Sequence, residues 1–140
     1  MDISAKFLGL SIKDGEDQYE FSYMPFTQSS KLTDSDGNLV AELKRFGWFS
    51  LNFKLMAEGG EYLLKCRALN HQLITPQGEI FQTGSSVNFA SNTKQLTKLT
   101  HDNRFKKYVS LEVFSEHHRM ALIIASCLFT VRYLHGGSYS

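Results

Sequence analysis

The chain has 140 residues, the size of one ordinary domain, and 42% of them are hydrophobic, which excludes a disordered polymer and supports a sizeable core. Fifteen basic residues stand against fourteen acidic ones, and the net charge of +1 excludes polyanion binding driven by bulk charge alone. Two prolines and an aromatic content of 13% suit a chain made mostly of strands.

The elements, taken in chain order, read mostly in period two. Residues 5–13 and 18–26 are expected as strands joined at Asp14-Gly15-Glu16-Asp17, where Gly15 can take a positive φ. Residues 30–34 and 38–44 form the next expected pair, joined at Ser35-Asp36-Gly37, because Asp-Gly between apolar runs is a strong hairpin signal. Residues 49–55 alternate cleanly, with Phe49, Leu51, Phe53 and Leu55 on one face, as in a half-buried antiparallel strand. Gly59-Gly60 turns the chain back into a strand over 61–69. Strands over 72–75 and 79–83 bracket Pro76-Gln77-Gly78. Short strands over 87–89 and 95–100 follow, and residues 107–114 set Val109, Leu111 and Val113 against Tyr108, Ser110, Glu112 and Phe114. One echo stands out. LTDSDGNLV at residues 32–40 aligns with LITPQGEIF at residues 73–81, with an apolar residue five before the turn glycine and two apolar residues just after it.

From Ser115 the period changes. Ser115 suits an N-cap, and Glu116 places negative charge in a first helical turn. Residues 120–129, MALIIASCLF, hold a single polar residue, Ser126. Arg132 and His135 suit a helix C-terminus, and Gly136-Gly137 can stop it. A helix over 116–134 would be roughly 28 Å long at about 1.5 Å per residue. Apolar on all sides, it is buried or in a membrane. Arg119 and Arg132 leave only residues 120–131 between them, short of the roughly 20 residues that span a bilayer. The expectation is a single domain over residues 1–140: a closed antiparallel β-barrel wrapped around one hydrophobic C-terminal helix.

Cys66 and Cys127 lack the spacing of a zinc site and are read as small buried hydrophobes. The first residues, MDISAKFLGLSIKDGEDQ, have neither the basic start nor the unbroken apolar run of a signal peptide. With reduced cysteines, the expected compartment is the cytosol, with a peripheral membrane position as a variant of it.

Many short meandering strands before one apolar helix resemble the tubby-like barrel, and within it the LURP-one-related and phospholipid-scramblase-like group. The residues that carry the resemblance are LTDSDGNLV at 32–40, similar to that group's D-x-x-G-x-x-V turn, the echo at 73–81, and EHHRMALIIA at 116–125, similar to its final buried helix. Tubby domains proper bind phosphoinositide headgroups through basic residues. No motif in this chain allows those residues to be carried over one by one.

Chemistry-bearing patterns are sparse. DSDGN at residues 34–38 begins like a calcium loop, but Leu39 and Arg45 stand where the glycine and the final carboxylate belong. His117 and His118 are neighbours, which on a helix point about 100° apart and do not share one ion easily. They are read as a polar start to the helix at the barrel mouth. No nucleophile elbow, phosphate loop or dinucleotide fingerprint occurs, so no catalytic residue and no cofactor is assigned. The one basic window lies in residues 94–107, with Lys94, Lys98, Arg104, Lys106 and Lys107 as candidate binding residues. The expected function is a non-catalytic binding or scaffold domain, with an anionic phospholipid headgroup or phosphorylated ligand as its candidate partner. An enzyme with a site at the barrel mouth and a nucleic-acid-binding barrel are the alternatives.

Overall fold

The computed structural model describes residues 1–6, 9–24, 29–46, 51–67, 70–83, 88–92, 94–101 and 108–135. Twelve strands and one helix make up the described chain. In order they are β1 (Asp2–Lys6), β2 (Gly9–Asp14), β3 (Asp17–Met24), β4 (Ser29–Asp34), β5 (Leu39–Phe46), β6 (Leu51–Ala57), β7 (Gly60–Cys66), β8 (His71–Ile74), β9 (Ile80–Thr83), β10 (Phe89–Ala90), β11 (Thr97–His101), β12 (Tyr108–Val113) and α1 (Arg119–His135).

All strand pairs are antiparallel and form one sheet. It runs from β10 back through each neighbour to β1, then on to β12 and β11. β1 joins the two parts, with Ile3 opposite Ile12 on one side and Val109 on the other. The sheet curls until its two edge strands meet. Leu96 N–H donates to the Phe89 carbonyl at 2.8 Å, and Ala90 and Gln95 form an isolated bridge. Side chains complete the seam: Phe89 N–H donates to Thr97 Oγ1 and Leu99 N–H to Asn88 Oδ1, each at 2.8 Å. The result is a nearly closed antiparallel barrel.

Alternation along each strand decides what fills it. Ile3, Leu10, Ile12, Phe21, Leu32, Leu43, Leu55, Leu64, Leu73, Val109 and Leu111 are fully buried. They close around α1, in which every residue from Ala121 to Cys127 is buried. Seven consecutive buried residues cover all sides of a helix, so α1 is enclosed by the sheet. Among the described residues no helix is long and apolar enough to cross a membrane.

Most strand ends shift by a few residues from the sequence reading, the strand expected over 61–69 ending at Cys66, and two differences go further. The expected strand over 5–13 is two strands, β1 and β2, paired with each other. β1 buries only Ile3 and β2 buries Gly9, Leu10 and Ile12, a pattern too short in β1 for alternation to reveal the reversal. The helix begins at Arg119 rather than Glu116, and Ser115 is not its cap. Its free N–H groups are taken by Glu58, whose Oε1 accepts from Met120 and, at 3.4 Å, from Ala121. Glu58 sits in the β6–β7 turn with φ 53°, followed by Gly59 at 73°. Two successive positive φ values mark a type I′ hairpin, which matches the twist of the flanking strands. Phe49 lies outside the described residues.

The echo between residues 32–40 and 73–81 is one turn built twice. In the first, Asp34 N–H donates to the Asn38 carbonyl, Gly37 N–H to the Asp34 carbonyl, and Asn38 N–H to Asp34 Oδ1. In the second, Thr75 N–H donates to the Glu79 carbonyl, Gly78 N–H to the Thr75 carbonyl, and Glu79 N–H to Thr75 Oγ1. Gly37 and Gly78 take φ of 84° and 90°, which only glycine adopts without strain.

Candidate ligand cleft at the barrel mouth

Strict up-and-down order puts the turns after β2, β4, β6, β8 and β10 at the end of the barrel where α1 begins. Four connections there surround a cleft of about 620 Å³. The β6–β7 turn supplies Glu58, Gly59 and Gly60, and the β8–β9 turn supplies Pro76, Gln77 and Glu79. Ser91 and Leu96 come from the β10–β11 connection, and Ser115, His117 and His118 from the segment leading into α1. Tyr62 of β7 and Phe81 of β9 form the inner wall. The first two turns abut: a methyl group added at Gly60 would lie 2.7 Å from Pro76 Cγ.

His118 is the most constrained side chain of the cleft. The Tyr62 hydroxyl lies 2.6 Å from its Nδ1, and the rings of Tyr62 and Phe81 meet it edge-on with centroids 5.6 and 5.3 Å away. Its Nε2 is 4.0 Å from Glu79 Oε1. Burial, with the charges of Glu58 and Glu79 behind it, pushes the Tyr62 phenol up to about 12. Tyr62 therefore keeps its proton, and its hydroxyl and the Glu79 carboxylate lie against the two ring nitrogens of His118. Next to the cleft, Arg119 pairs with the Asp14 carboxylate of β2 and ties the helix start to the barrel rim.

This arrangement can hold a ligand by hydrogen bonds and charge. The phenol, made less acidic, serves as a hydrogen-bonding group, and His118 Nδ1 is its partner. Among the described residues no three His, Cys, Asp or Glu side chains are grouped to hold a metal ion. Of the two thiols, Cys66 is partly buried and pushed up to about 11 by burial, and Cys127 is fully buried and raised further.

Of the basic residues singled out in the sequence, the two that are described, Lys94 and Lys98, are not among the residues lining the cleft. Lys94 is exposed in the β10–β11 connection, and Lys98 is exposed on β11, where its cross-strand neighbour is Glu112. An acidic residue directly opposite offsets the charge Lys98 presents. Arg104, Lys106 and Lys107 fall between β11 and β12, outside the described residues. None of the cleft residues was assigned a ligand from sequence. The signals present were the paired histidines and the repeated turn, whose second copy carries Glu79. Comparison of the chain with protein-family models, with characterised proteins and with solved structures finds no match, so the reading of the cleft rests on its own geometry.

Proposed function

We propose that this chain is a non-catalytic binding domain that takes a small ligand in the cleft where the enclosed helix begins. The observation that carries the reading is the cleft itself: about 620 Å³, within the range of small-molecule sites, around a histidine held in one orientation by Tyr62. A fragment screen on the isotopically labelled chain tests it. Resonance shifts should concentrate on Tyr62, Glu79, Phe81 and His118, and the bound compounds should be recovered chemically unchanged. Shifts scattered over the barrel wall would remove the site, and turnover of a bound compound would replace the binding reading with an enzymatic one.

A helix enclosed by an antiparallel barrel also supports the likeness to the tubby-like group, and with it a second reading at a different surface. There the window of Lys94, Lys98, Arg104, Lys106 and Lys107 meets an anionic headgroup or phosphorylated ligand, at a cytoplasmic membrane face. The exposure of Lys94 and Lys98 favours it. Each basic residue near an anionic surface is worth about 1 kcal/mol. Sedimentation with anionic vesicles should then show weak binding that fades as salt rises, and equal, negligible sedimentation with anionic and neutral vesicles would dismiss it.

A further inference from the structure

We infer that the cleft selects a small organic cation, an alkylammonium or alkylguanidinium group, and discriminates against anions. The inference rests on the cleft being the ligand site and adds the chemistry of what enters it.

Charge comes first. Among the described residues the lining holds two carboxylates, Glu58 and Glu79, and neither lysine nor arginine. The Arg119 guanidinium nearby is already neutralised by Asp14. A helix N-terminus ordinarily attracts an anion, but here the free N–H groups of Met120 and Ala121 are satisfied by Glu58. The place an anionic ligand would take is thus filled by the chain's own carboxylate. The hydroxyl of Tyr62 is spent on His118 Nδ1, and His118 Nε2 lies 4.0 Å from Glu79 Oε1. The carboxylate not engaged by the helix is Glu79, with His118 Nε2 4.0 Å away and a side chain 62% exposed to the cleft and the solvent beyond it.

Shape comes second. Pro76, Phe81 and Leu96 give the cleft an apolar wall beside that carboxylate. An ammonium or guanidinium head on Glu79 would lay its alkyl stem along this wall, and a guanidinium can meet the carboxylate with two parallel hydrogen bonds. The negative field is already felt inside the site, since both carboxylates help hold the Tyr62 phenol in its protonated form.

The same head group can arrive as a free amine or as a basic side chain on a peptide. The test uses the full chain and titrates it with butylammonium, butylguanidinium and an acetyl-arginine methylamide, against butyrate and inorganic phosphate. The cations should shift Glu79, Phe81 and His118, and the anions should not. Glu79→Gln keeps the backbone bonds of its turn and should weaken cation binding roughly tenfold, the worth of one charge-assisted hydrogen bond. Glu79→Lys should turn the preference toward butyrate. Tighter binding of butylammonium than of the arginine derivative points to a free amine, and the reverse to a peptide side chain. Butyrate or phosphate bound in the cleft of the unaltered chain as tightly as the cations, or cation binding unchanged in Glu79→Gln, overturns the inference. Neutral fragments seated in the cleft while every cation fails would overturn the ligand class and leave the site standing.

Discussion

His71 stacks on Phe129 of the enclosed helix with ring centroids 4.3 Å apart, and its Nδ1 is buried with no hydrogen-bond partner among the described residues. Burial pushes its imidazole below the ordinary value of 6.5. The unfolded chain therefore takes up this proton more readily than the folded one. Stability tied to His71 is complete above pH 6.5 and is lost as pH falls below it. His71→Phe keeps a ring against Phe129 and removes the titration, so the melting temperature should decline less between neutral pH and about pH 5 than in the unaltered chain. An identical decline in the two proteins would place the acid sensitivity elsewhere. Nearer the middle of the helix, Ile124 is fully buried and Leu128 only partly so. Urea unfolding of Ile124→Ala should show a loss of about 2–5 kcal/mol, and Leu128→Ala roughly half of that, in proportion to the area each buries.

At the level of elements, the start of the helix is set by a hairpin far from it in the chain. Glu58 combines two duties, a strained backbone with φ 53° and a carboxylate on the first free N–H groups of α1. Glu58→Ala loses the cap and keeps a Cβ at positive φ, whereas Glu58→Gly loses the cap and relieves the backbone. Both should destabilise, but the alanine variant by about 1 kcal/mol more in urea melts. Equal losses would mean that the turn stores no strain. This cap was hidden in the sequence because its donor and acceptor are 62 positions apart. Ser115 and Glu116 have the right chemistry for a helix start, and local chemistry was all that could be seen. The paired turns at 34–38 and 75–79 were legible for the opposite reason. Every bond in them lies within five residues, so the spacing of the turn glycine carries the geometry. The hidden reversal between β1 and β2 has neither Gly, Pro, Asn nor Asp at residues 7 and 8, and Gly9 just after them stands alone as a local mark.

For the whole molecule, the barrel and its contents were legible while the cleft was not. Strand alternation and an all-apolar helix each state which side must be covered, and together they leave few arrangements. The cleft draws Glu58, Tyr62, Glu79 and His118 from separate parts of the chain, and only the sheet order brings them together. The dependence of barrel on helix is testable. Ending the chain at Phe114 leaves the apolar faces of Leu32, Leu43, Leu55 and Leu64 without the residues that fill the space between them. The truncated protein should aggregate, or keep its far-ultraviolet dichroism while losing the near-ultraviolet signal of fixed aromatic packing. A soluble truncation with sharp, dispersed resonances would show that the strands pack without α1.

The position of the helix at the end of the element order also bears on how the protein is made. A ribosome delivers all twelve strands before it delivers the segment that fills them, and β1 has no second neighbour until β12 emerges, more than a hundred residues later. Throughout that interval the nascent chain carries an unfilled apolar surface and an open strand edge, both of which invite association with other chains. Emergence of α1, rather than completion of any one hairpin, is the event that allows the native packing to form. Its yield in a cell should therefore depend on chaperones that shield long, half-wrapped sheets.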